Sequence, residues 1–253
     1  MILDLFSLTG KNALVTGSSR GLGAAIAVAF AEAGANVALH GSSAVPADVI
    51  ELVARTGARH VELAADLRHP DRCPELIDRT VSALGSIDIL INNAGMIRRA
   101  PAVDFTTADW DEVLATNLTS VFRLCQGAGR HMLAQGFGKI VNIASLLSFQ
   151  GGITVPSYAA AKGGVAQLTK ALSNEWASKG VQVNAIAPGY METDNTEALR
   201  KDAARSRQIL ERIPAARWGT PQDVAGAAVF LASPASDYIN GHILAVDGGW
   251  LGR

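Results

Sequence analysis

Two residues four positions apart, Tyr158 and Lys162, have the side chains in this sequence best suited to acid–base chemistry. If the segment between them is helical, both side chains lie on one face and the ammonium can approach the phenol. The pKa of a free tyrosine is about 10, and a fixed cation nearby favours the phenolate. Ser145, thirteen residues before the tyrosine, could hold an alcohol or carbonyl oxygen. The three residues predict a proton-transfer site, although tyrosine–lysine pairs at this spacing also occur by chance on helix surfaces.

A glycine-rich segment near the start of the chain predicts a phosphate-binding turn. The apolar run Ala13-Leu14-Val15 leads into Thr16–Gly23, and an alanine-rich stretch typical of a helix continues to Ala33. In a strand–turn–helix unit of this kind, glycines let the backbone approach a pyrophosphate, whose charge the helix N-terminus stabilises. The alternative is a tight turn without a ligand. Together with the tyrosine and lysine, the turn favours a dinucleotide-dependent enzyme.

The order of these motifs along the chain resembles that of the short-chain dehydrogenase/reductase family. The glycine pattern is T-G-x-x-x-G-x-G, and the resemblance covers nearly all 253 residues. Several independent motifs in the right order are more specific than any one of them. The matching motifs are Thr16–Gly23, Asp66-Leu67, Asn92-Asn93-Ala94-Gly95, Asn117, Ser145, Tyr158 with Lys162, and Pro188-Gly189 followed by Thr193.

The resemblance implies a role for each catalytic candidate. Tyr158 would be the general acid/base, and Lys162 would both lower its pKa and hold the nicotinamide ribose. Ser145 would orient the substrate oxygen, and Asn117 would help to hold a water that links Lys162 to solvent. Hydride would pass between a substrate carbon and the nicotinamide while Tyr158 takes or returns the hydroxyl proton. No metal is required.

The resemblance also implies where the cofactor lies. Asn93-Ala94-Gly95 would approach the adenosine ribose, and Pro188-Gly189 with Thr193 would line the nicotinamide carboxamide. Asp66 would accept a hydrogen bond from the adenine amino group, or else would cap a helix N-terminus. The full set of cofactor-binding candidates is Gly17, Ser19, Arg20, Gly21, Leu22, Gly23, Ser42, Asp66, Leu67, Asn93, Ala94, Gly95, Tyr158, Lys162, Pro188, Gly189 and Thr193.

The residues after the second predicted strand favour NADP over NAD. An NAD site of this kind usually carries an acidic residue at the end of that strand, to bind the ribose diol. Here the sequence reads Leu39-His40-Gly41-Ser42-Ser43, so no carboxylate would repel a 2′-phosphate. Arg20 could pair with that phosphate, and Ser42 or Ser43 could donate hydrogen bonds to it. The alternatives are NAD as cofactor and Arg20 as a solvent-exposed loop residue.

Several stretches resemble the branch of the family that acts on sugar acids, Asn92–Arg99 and Leu147–Gly152 among them. A sugar acid needs a partner for its carboxylate, and Arg98, Arg99 and Gln150 are suitable candidates, although any of them could be a surface residue. A first alternative is a 3-oxoacyl-(acyl carrier protein) reductase, which shares the catalytic set and would favour a basic patch for its carrier. A second is a catalytically silent dinucleotide-binding sensor.

Composition excludes other classes of function. The formal net charge is −1 and the pI is about 6.5, without the basic excess of a nucleic-acid binder. The N-terminus lacks the basic segment of a secretory signal, and no apolar run reaches the ~18 residues of a membrane span. A cytoplasmic location is therefore expected. Cys73 and Cys125 are read as ordinary reduced thiols, and no cluster has metal-ligand spacing.

The elements that must position these residues alternate between short apolar strands and longer helical patterns. Strands buried on both faces read as continuous apolar runs. The alternation predicts an α/β fold: a single-domain, doubly wound parallel sheet flanked by helices, with ligands beyond the carboxyl ends of the strands. The predicted strands are Ala13–Val15, Val37–Leu39, Val61–Ala64, Ile87–Ile91, Ile140–Ile143, Val181–Ala185 and Ile243–Val246.

Three further segments complete the predicted fold. Asp104–Arg130 is read as a long helical region broken near Asn117. The charged, alanine-rich segment Glu192–Pro214 is read as two exposed helices, either a substrate lid spanning about residues 190–215 or a solvated surface excursion. The C-terminal Asp247-Gly248-Gly249-Trp250 resembles the tetramer-forming end of the family, which implies a homotetramer.

Overall fold

Seven parallel strands form a single sheet in the order β3-β2-β1-β4-β5-β6-β7, in a computed structural model that describes residues 1–253. This confirms the predicted doubly wound α/β fold. The strand order reverses between β1 and β4, and ligands bind in the crevice at such a switch point. The strands are β1 (Asn12–Val15), β2 (Asn36–Gly41), β3 (His60–Ala64), β4 (Ile89–Asn92), β5 (Gly138–Ile143), β6 (Val181–Pro188) and β7 (Ile243–Val246).

Helices cover both faces of the sheet, and each face has its own apolar core. α1, α2 and α9 pack on one face around a cluster of 23 buried residues that includes Phe30, while α3, α5 and α6 pack on the other around 24 that include Leu124. The helices are α1 (Gly21–Glu32), α2 (Ala47–Ala54), α3 (Cys73–Leu84), α4 (Thr107–Leu114), α5 (Ser120–Gln135), α6 (Pro156–Trp176), α7 (Glu197–Lys201), α8 (Ala203–Arg212) and α9 (Pro221–Ala232).

The long helical region runs without a break. A π-helical turn, Ala115–Thr119, joins α4 directly to α5 and contains Asn117. The irregularity predicted near Asn117 is therefore a locally widened helix, a form that is frequent at functional sites. Strand β2 is longer than its predicted core, Val37–Leu39, and includes His40 and Gly41.

The segment after β6 contains the expected exposed helices. A 3₁₀ turn, Asp194–Thr196, leads into α7 and α8. These elements rest on a separate cluster of only five buried residues, among them Ile209, Trp218 and Trp250. Because this cluster is small, the segment is held far less firmly than the helices on the sheet.

Both cysteines lie inside the core that α3, α5 and α6 form with the sheet. Cys73 and Cys125 have no exposed surface, and burial raises the pKa of the Cys125 thiol to about 12. Asn92 donates to the Cys125 sulfur and also to Asn142 on the neighbouring strand.

Among the helices, none combines the length and the apolar character that a membrane span requires.

Candidate functional site

The glycine turn after β1 has a shape that only glycine accommodates. Gly17 has φ +65°, and a Cβ at this position would lie 2.8 Å from the Cα of Ala94. Asn93 also fixes the loop after β4 against the turn, because its side-chain amide donates to the carbonyls of Thr16 and Gly17. The turn and the loop after β4 therefore pack directly against each other, where the strand order reverses.

A cavity of about 510 Å³ extends from the loop after β2, past this turn, to Tyr158 and Lys162. The start of α1 faces it, so backbone N–H groups and the helix dipole favour an anion there. The length of the cavity, its glycine-lined centre and its helix terminus fit a dinucleotide. The predicted cofactor residues that line it are Gly17, Ser19, Arg20, Gly21, Leu22, Ser42, Asp66, Leu67, Asn93, Ala94, Gly95, Tyr158, Lys162 and Thr193.

Three predicted cofactor residues do not line this first cavity. Gly23 is buried in α1, where a Cβ would lie 2.2 Å from the carbonyl oxygen of Gly17, so it is needed for packing of the helix against the turn. Pro188 and Gly189 line an adjoining second cavity instead.

The polar residues at the outer end of the first cavity already have partners. Arg20 is exposed and its Nε lies 3.2 Å from a carboxylate oxygen of Asp194, in the 3₁₀ turn before α7. Asp66 accepts from the guanidinium of Arg68 at 2.7 Å, which lowers the pKa of the Asp66 carboxyl. Asp66 does not cap a helix, because the 3₁₀ turn that follows has His69 at its N-cap position.

Tyr158 stands where the two cavities meet and lines both of them. Helix α6 carries Tyr158 and Lys162 one turn apart, so the predicted helical spacing is present. The Lys162 side chain is 4 % exposed, and its Nζ donates to the Ile143 carbonyl at 2.5 Å. Burial lowers the pKa of Lys162 to about 8.

Three groups or effects act on the pKa of the Tyr158 phenol. Burial raises the pKa of the Tyr158 phenol, while a hydrogen bond with Ser145 and the charge of Arg99 act in the opposite direction. The Lys162 ammonium is directed at the Ile143 carbonyl and lies 5.7 Å from the centre of the tyrosine ring. A role for Lys162 in lowering the pKa of Tyr158 stays a prediction.

Asn117 does not reach into either cavity with its side chain. The side chain is fully buried, accepts from the Met96 N–H at 2.9 Å and donates to the Met96 carbonyl at 2.7 Å. It thus fixes the loop after β4, and its neighbour Thr116 lines the first cavity. A water-holding role for Asn117 would have to come from its backbone groups.

The second cavity, of about 340 Å³, lies between the residues after β5 and the segment that contains α7 and α8. Ser145 and Tyr158 are among its lining residues. Its lining contains three arginines, Arg99, Arg205 and Arg212, and no aspartate or glutamate. Such a cavity favours an anionic ligand, because no carboxylate within it neutralises the cations.

The three arginines differ in what they contact. Arg212 stacks on the Trp250 ring at 4.0 Å, and the indole N–H of Trp250 donates to Gln150 at 3.2 Å. Gln150 therefore lines the cavity as predicted but is held by the C-terminal segment. Arg99 and Arg205 form no ion pair in the structure, and Arg205 donates only to the neutral side chain of Gln208.

Arg98 does not line the second cavity. Its guanidinium forms ion pairs with Glu112 at 2.7 Å and Asp109 at 3.2 Å, both on α4. These carboxylates neutralise Arg98 on the outer side of the loop, so it is not available to a substrate. Of the two adjacent arginines proposed from the sequence, only Arg99 faces the cavity.

Some residues of the site were missed from the sequence. Arg205, Gln208, Ile209 and Arg212 follow the spacing i, i+3, i+4, i+7, which places them on one face of α8, and all four line the second cavity. That periodicity could have identified them. The others, which include Tyr190 and residues near the C-terminus, carry no local signal. Additional lining residues that the sequence did not single out include His40, Gly41, Ala44, Met96, Thr116, Asp194, Asn195, Tyr190, Leu199 and Trp250.

Known proteins with similar sequences are oxidoreductases. A family profile described as enoyl-(acyl carrier protein) reductase matches residues 17–251. The chain is 55 % identical to 2-dehydro-3-deoxy-D-gluconate 5-dehydrogenase of Escherichia coli strain K12, over 100 % of both chains.

Solved structures with the same fold cover essentially the whole chain. A gluconate 5-dehydrogenase from Burkholderia cenocepacia, in complex with NADP and tartrate, is 42 % identical with a TM-score of 0.93 and covers 100 % of both chains. A short-chain type dehydrogenase/reductase from Mycobacterium marinum is 35 % identical with a TM-score of 0.93, over 99 % of both chains.

Proposed function

Because the chain belongs to the short-chain dehydrogenase/reductase family, we propose that it is an NADP-dependent enzyme that interconverts the alcohol and ketone forms of a sugar acid. The substrate class is that of its relatives, of the 2-dehydro-3-deoxy-D-gluconate and gluconate type. One observation carries the proposal. The cavity that adjoins Tyr158 contains arginines and no carboxylate.

The arginines of the second cavity favour a sugar acid over a neutral alcohol as the substrate. Arg99 and Arg205 are cations without an acidic partner, and both line the cavity that Ser145 and Tyr158 enter. A carboxylate of the substrate would form charge-assisted hydrogen bonds with them. A neutral substrate would bring no negative charge to offset the positive charges of Arg99 and Arg205. Arg99 also acts on the phenol, because its charge favours the Tyr158 phenolate.

We assign the chemistry to the residues at the junction of the two cavities. Ser145 would hold the substrate oxygen, and Tyr158 would take the hydroxyl proton during oxidation or return it during reduction. The nicotinamide cofactor, when bound, accepts or supplies the hydride. The glycine turn and the start of α1 would hold its pyrophosphate, and Lys162, within the same cavity, would donate to its ribose.

Preference for NADP rests on the end of β2. Gly41 stands where an NAD site usually carries an acidic residue, and the following Ser42 and Ser43 line the first cavity. Arg20 lines the same cavity and could exchange its partner Asp194 for a 2′-phosphate.

We also propose that the protein forms a homotetramer. Strand β7 is an edge strand, and Ile243, Leu244 and Val246 are only partly buried within one chain. A second chain at this edge would cover them.

The test is a substrate panel with purified protein. Gluconate, 2-deoxygluconate and 2-dehydro-3-deoxygluconate would be offered with NADP or NAD, beside the neutral alditol of matched length. The corresponding ketones would be tested with NADPH or NADH. We expect kcat/KM for the best acid to exceed that of the alditol by at least about tenfold, the scale of one charge-assisted hydrogen bond. Equal values for acid and alditol would contradict the role given to the arginines.

A second candidate follows from the description of the matching family profile, which names an acyl carrier protein reductase. The same panel therefore includes an acetoacetyl thioester. If the thioester turned over faster than every sugar acid, the enzyme would act on acyl chains, and Arg99 and Arg205 would serve an acidic carrier instead.

A further inference from the structure

His40 is a buried, titratable residue that the mechanism above does not use. It stands near the carboxyl end of β2, is 2 % exposed, and borders the first cavity. Its main chain is bonded to the glycine turn, since its N–H donates to the Ser18 hydroxyl at 2.8 Å and its carbonyl accepts from the Ser18 N–H at 2.9 Å. Its position is therefore tightly coupled to that of the turn.

The imidazole ring adds two contacts, one to the glycine turn itself and one to the residue just beyond β3. Nδ1 accepts from the N–H of Gly17 at 3.0 Å, and Nε2 lies 2.9 Å from the carbonyl of Ala65, just beyond β3. A carbonyl can only accept, so Nε2 carries the proton and Nδ1 is left with a lone pair for Gly17. The two contacts therefore select the neutral ring with its proton on Nε2.

Gly17 is the residue that makes the turn possible, because it holds φ +65° against the backbone of Ala94. An acceptor on its N–H fixes the orientation of the peptide that begins the turn. A protonated imidazole has no lone pair and would place an N–H against the N–H of Gly17. Protonation of His40 must therefore break this contact.

We propose that His40 is a positioning residue for the cofactor: its neutral ring holds Gly17 in the conformation that receives the pyrophosphate, and protonation of the ring releases the turn. This inference rests on the proposed use of a dinucleotide cofactor. His40 touches the turn rather than the reacting atoms, so it acts on cofactor affinity and not on proton transfer to the substrate.

The charged surroundings favour the neutral ring at neutral pH. Burial lowers the pKa of His40 below its ordinary value of 6.5, and the charge of Arg79 on α3 acts in the same direction, whereas the contact with Ala65 opposes them. The ion pair of Asp66 with Arg68 lies in the same cavity lining. Arg20, the charged residue of the turn, is paired with Asp194.

The sign of the pH dependence follows from the lowered pKa. Above the ordinary value of 6.5 the ring is neutral in both folded and unfolded chains, and the turn keeps its full support. As the pH falls through the lowered pKa, the ring gains a proton and the contact with Gly17 is lost. Cofactor affinity should therefore be highest at neutral pH and should fall on acidification.

Two substitutions separate the two ring contacts. In His40→Asn, the amide oxygen can take the place of Nδ1 and accept from Gly17, and it does not titrate at these pH values. In His40→Gln, the longer amide reaches towards Ala65 and leaves the Gly17 N–H without its acceptor. His60→Asn is the matched control, because His60 lies on the adjacent strand β3, at the end remote from the turn.

Equilibrium binding of NADPH, followed by its fluorescence, tests the proposal from about pH 8 to about pH 5. We expect His40→Gln to weaken binding about two- to tenfold at pH 8, the scale of one hydrogen bond. His40→Asn and His60→Asn should bind as the wild type does at pH 8. At low pH the wild type and His60→Asn should lose affinity relative to His40→Asn. The 2′-phosphate titrates equally with every protein, so it cancels in these ratios.

Two outcomes would overturn the proposal: wild-type affinity in His40→Gln at pH 8, or parallel pH curves for the wild type and His40→Asn. Thermal melting of each variant would establish that it is folded. A second measurement needs no substitution to fold, because nitrogen NMR of the wild-type imidazole should show the proton on Nε2, and a proton on Nδ1 would contradict the inference. A wild type that bound neither NADPH nor NADH at neutral pH would instead contradict the proposed function.

Discussion

The two cavities that meet at Tyr158 are built in different ways. The first is formed by strand ends, a glycine turn and the loops that follow the strands, on a sheet whose cores contain 23 and 24 buried residues. The second is formed by long side chains on α8 and neighbouring loops, over a cluster of five. Backbone position therefore determines what the first cavity binds, whereas the second can change its ligand by exchanging side chains.

Tyr158 belongs to both cavities, so its loss should have the largest effect and should separate chemistry from binding. Tyr158→Phe removes the phenolic proton carrier and keeps the ring. We expect kcat to fall by about a hundred- to ten-thousandfold, the range assigned to general acid–base groups, while NADPH affinity stays within about twofold of the wild type. Steady-state kinetics and equilibrium binding would measure the two quantities. A folded variant with near-wild-type kcat would remove Tyr158 from the mechanism.

The burial of Lys162 in the first cavity should make the free energy of unfolding depend on pH. Its pKa is lowered to about 8 from 10.5, so between these values the unfolded chain binds more protons than the folded one. The free energy of unfolding should therefore rise with pH across this window, by about 3 kcal/mol in total, and Lys162→Met should lack this rise.

Urea unfolding of both proteins at pH values spanning the window would measure this contribution. The informative quantity is the wild-type unfolding free energy minus that of Lys162→Met, because other titrating groups cancel. A difference that stays constant with pH would mean that the Lys162 ammonium is well solvated in the folded chain.

A substitution of Arg205 would test the second cavity, because it should affect substrate recognition alone. We expect Arg205→Met to raise KM for a sugar acid about two- to fivefold, the scale of an ion pair at an exposed position, with little change in kcat or in the free energy of unfolding. Arg207→Met is the matched control, since Arg207 is an exposed arginine of α8 that lies outside the cavity lining. An equal rise of KM in both variants would indicate a general effect of positive charge on α8.

Arg20 is an exception to the difference between the two cavities, because it is a long, exposed side chain in the lining of the first one. Its side chain is 78 % exposed and already paired with Asp194, so solvent screening weakens any contact with a 2′-phosphate. We expect Arg20→Ala to weaken NADPH binding only about two- to fivefold and NADH binding hardly at all. Titration of both cofactors would measure this, and equal losses would make Arg20 a structural residue of the turn.

The sequence was most informative where the backbone decides the structure. The apolar strand runs predicted the sheet, and the glycine pattern predicted a turn that brings Gly17 against Ala94, because these features depend on local conformation and burial alone. The helical spacing of Tyr158 and Lys162 was likewise visible. Their roles, and those of the cofactor-binding candidates, stay predictions.

The sequence was least informative where partners distant in the chain compete for a side chain. Arg98 and Arg99 are adjacent and chemically identical, yet only α4, which places Glu112 beside Arg98, separates their roles. The Lys162 ammonium, which the helical spacing places beside Tyr158, also donates to the Ile143 carbonyl, nineteen residues away in the chain. Such competition depends on tertiary packing, so residue type and spacing could not reveal it.

The burial of both cysteines makes the chain suitable for site-specific labelling. Cys73 and Cys125 have no exposed surface, and the raised pKa of each thiol leaves almost no thiolate at neutral pH. Maleimide dyes should therefore leave the folded wild type unmodified. In Arg207→Cys, on α8, the new cysteine would then be the single reactive position, and a fluorophore there would report changes around α8 without removal of any native thiol.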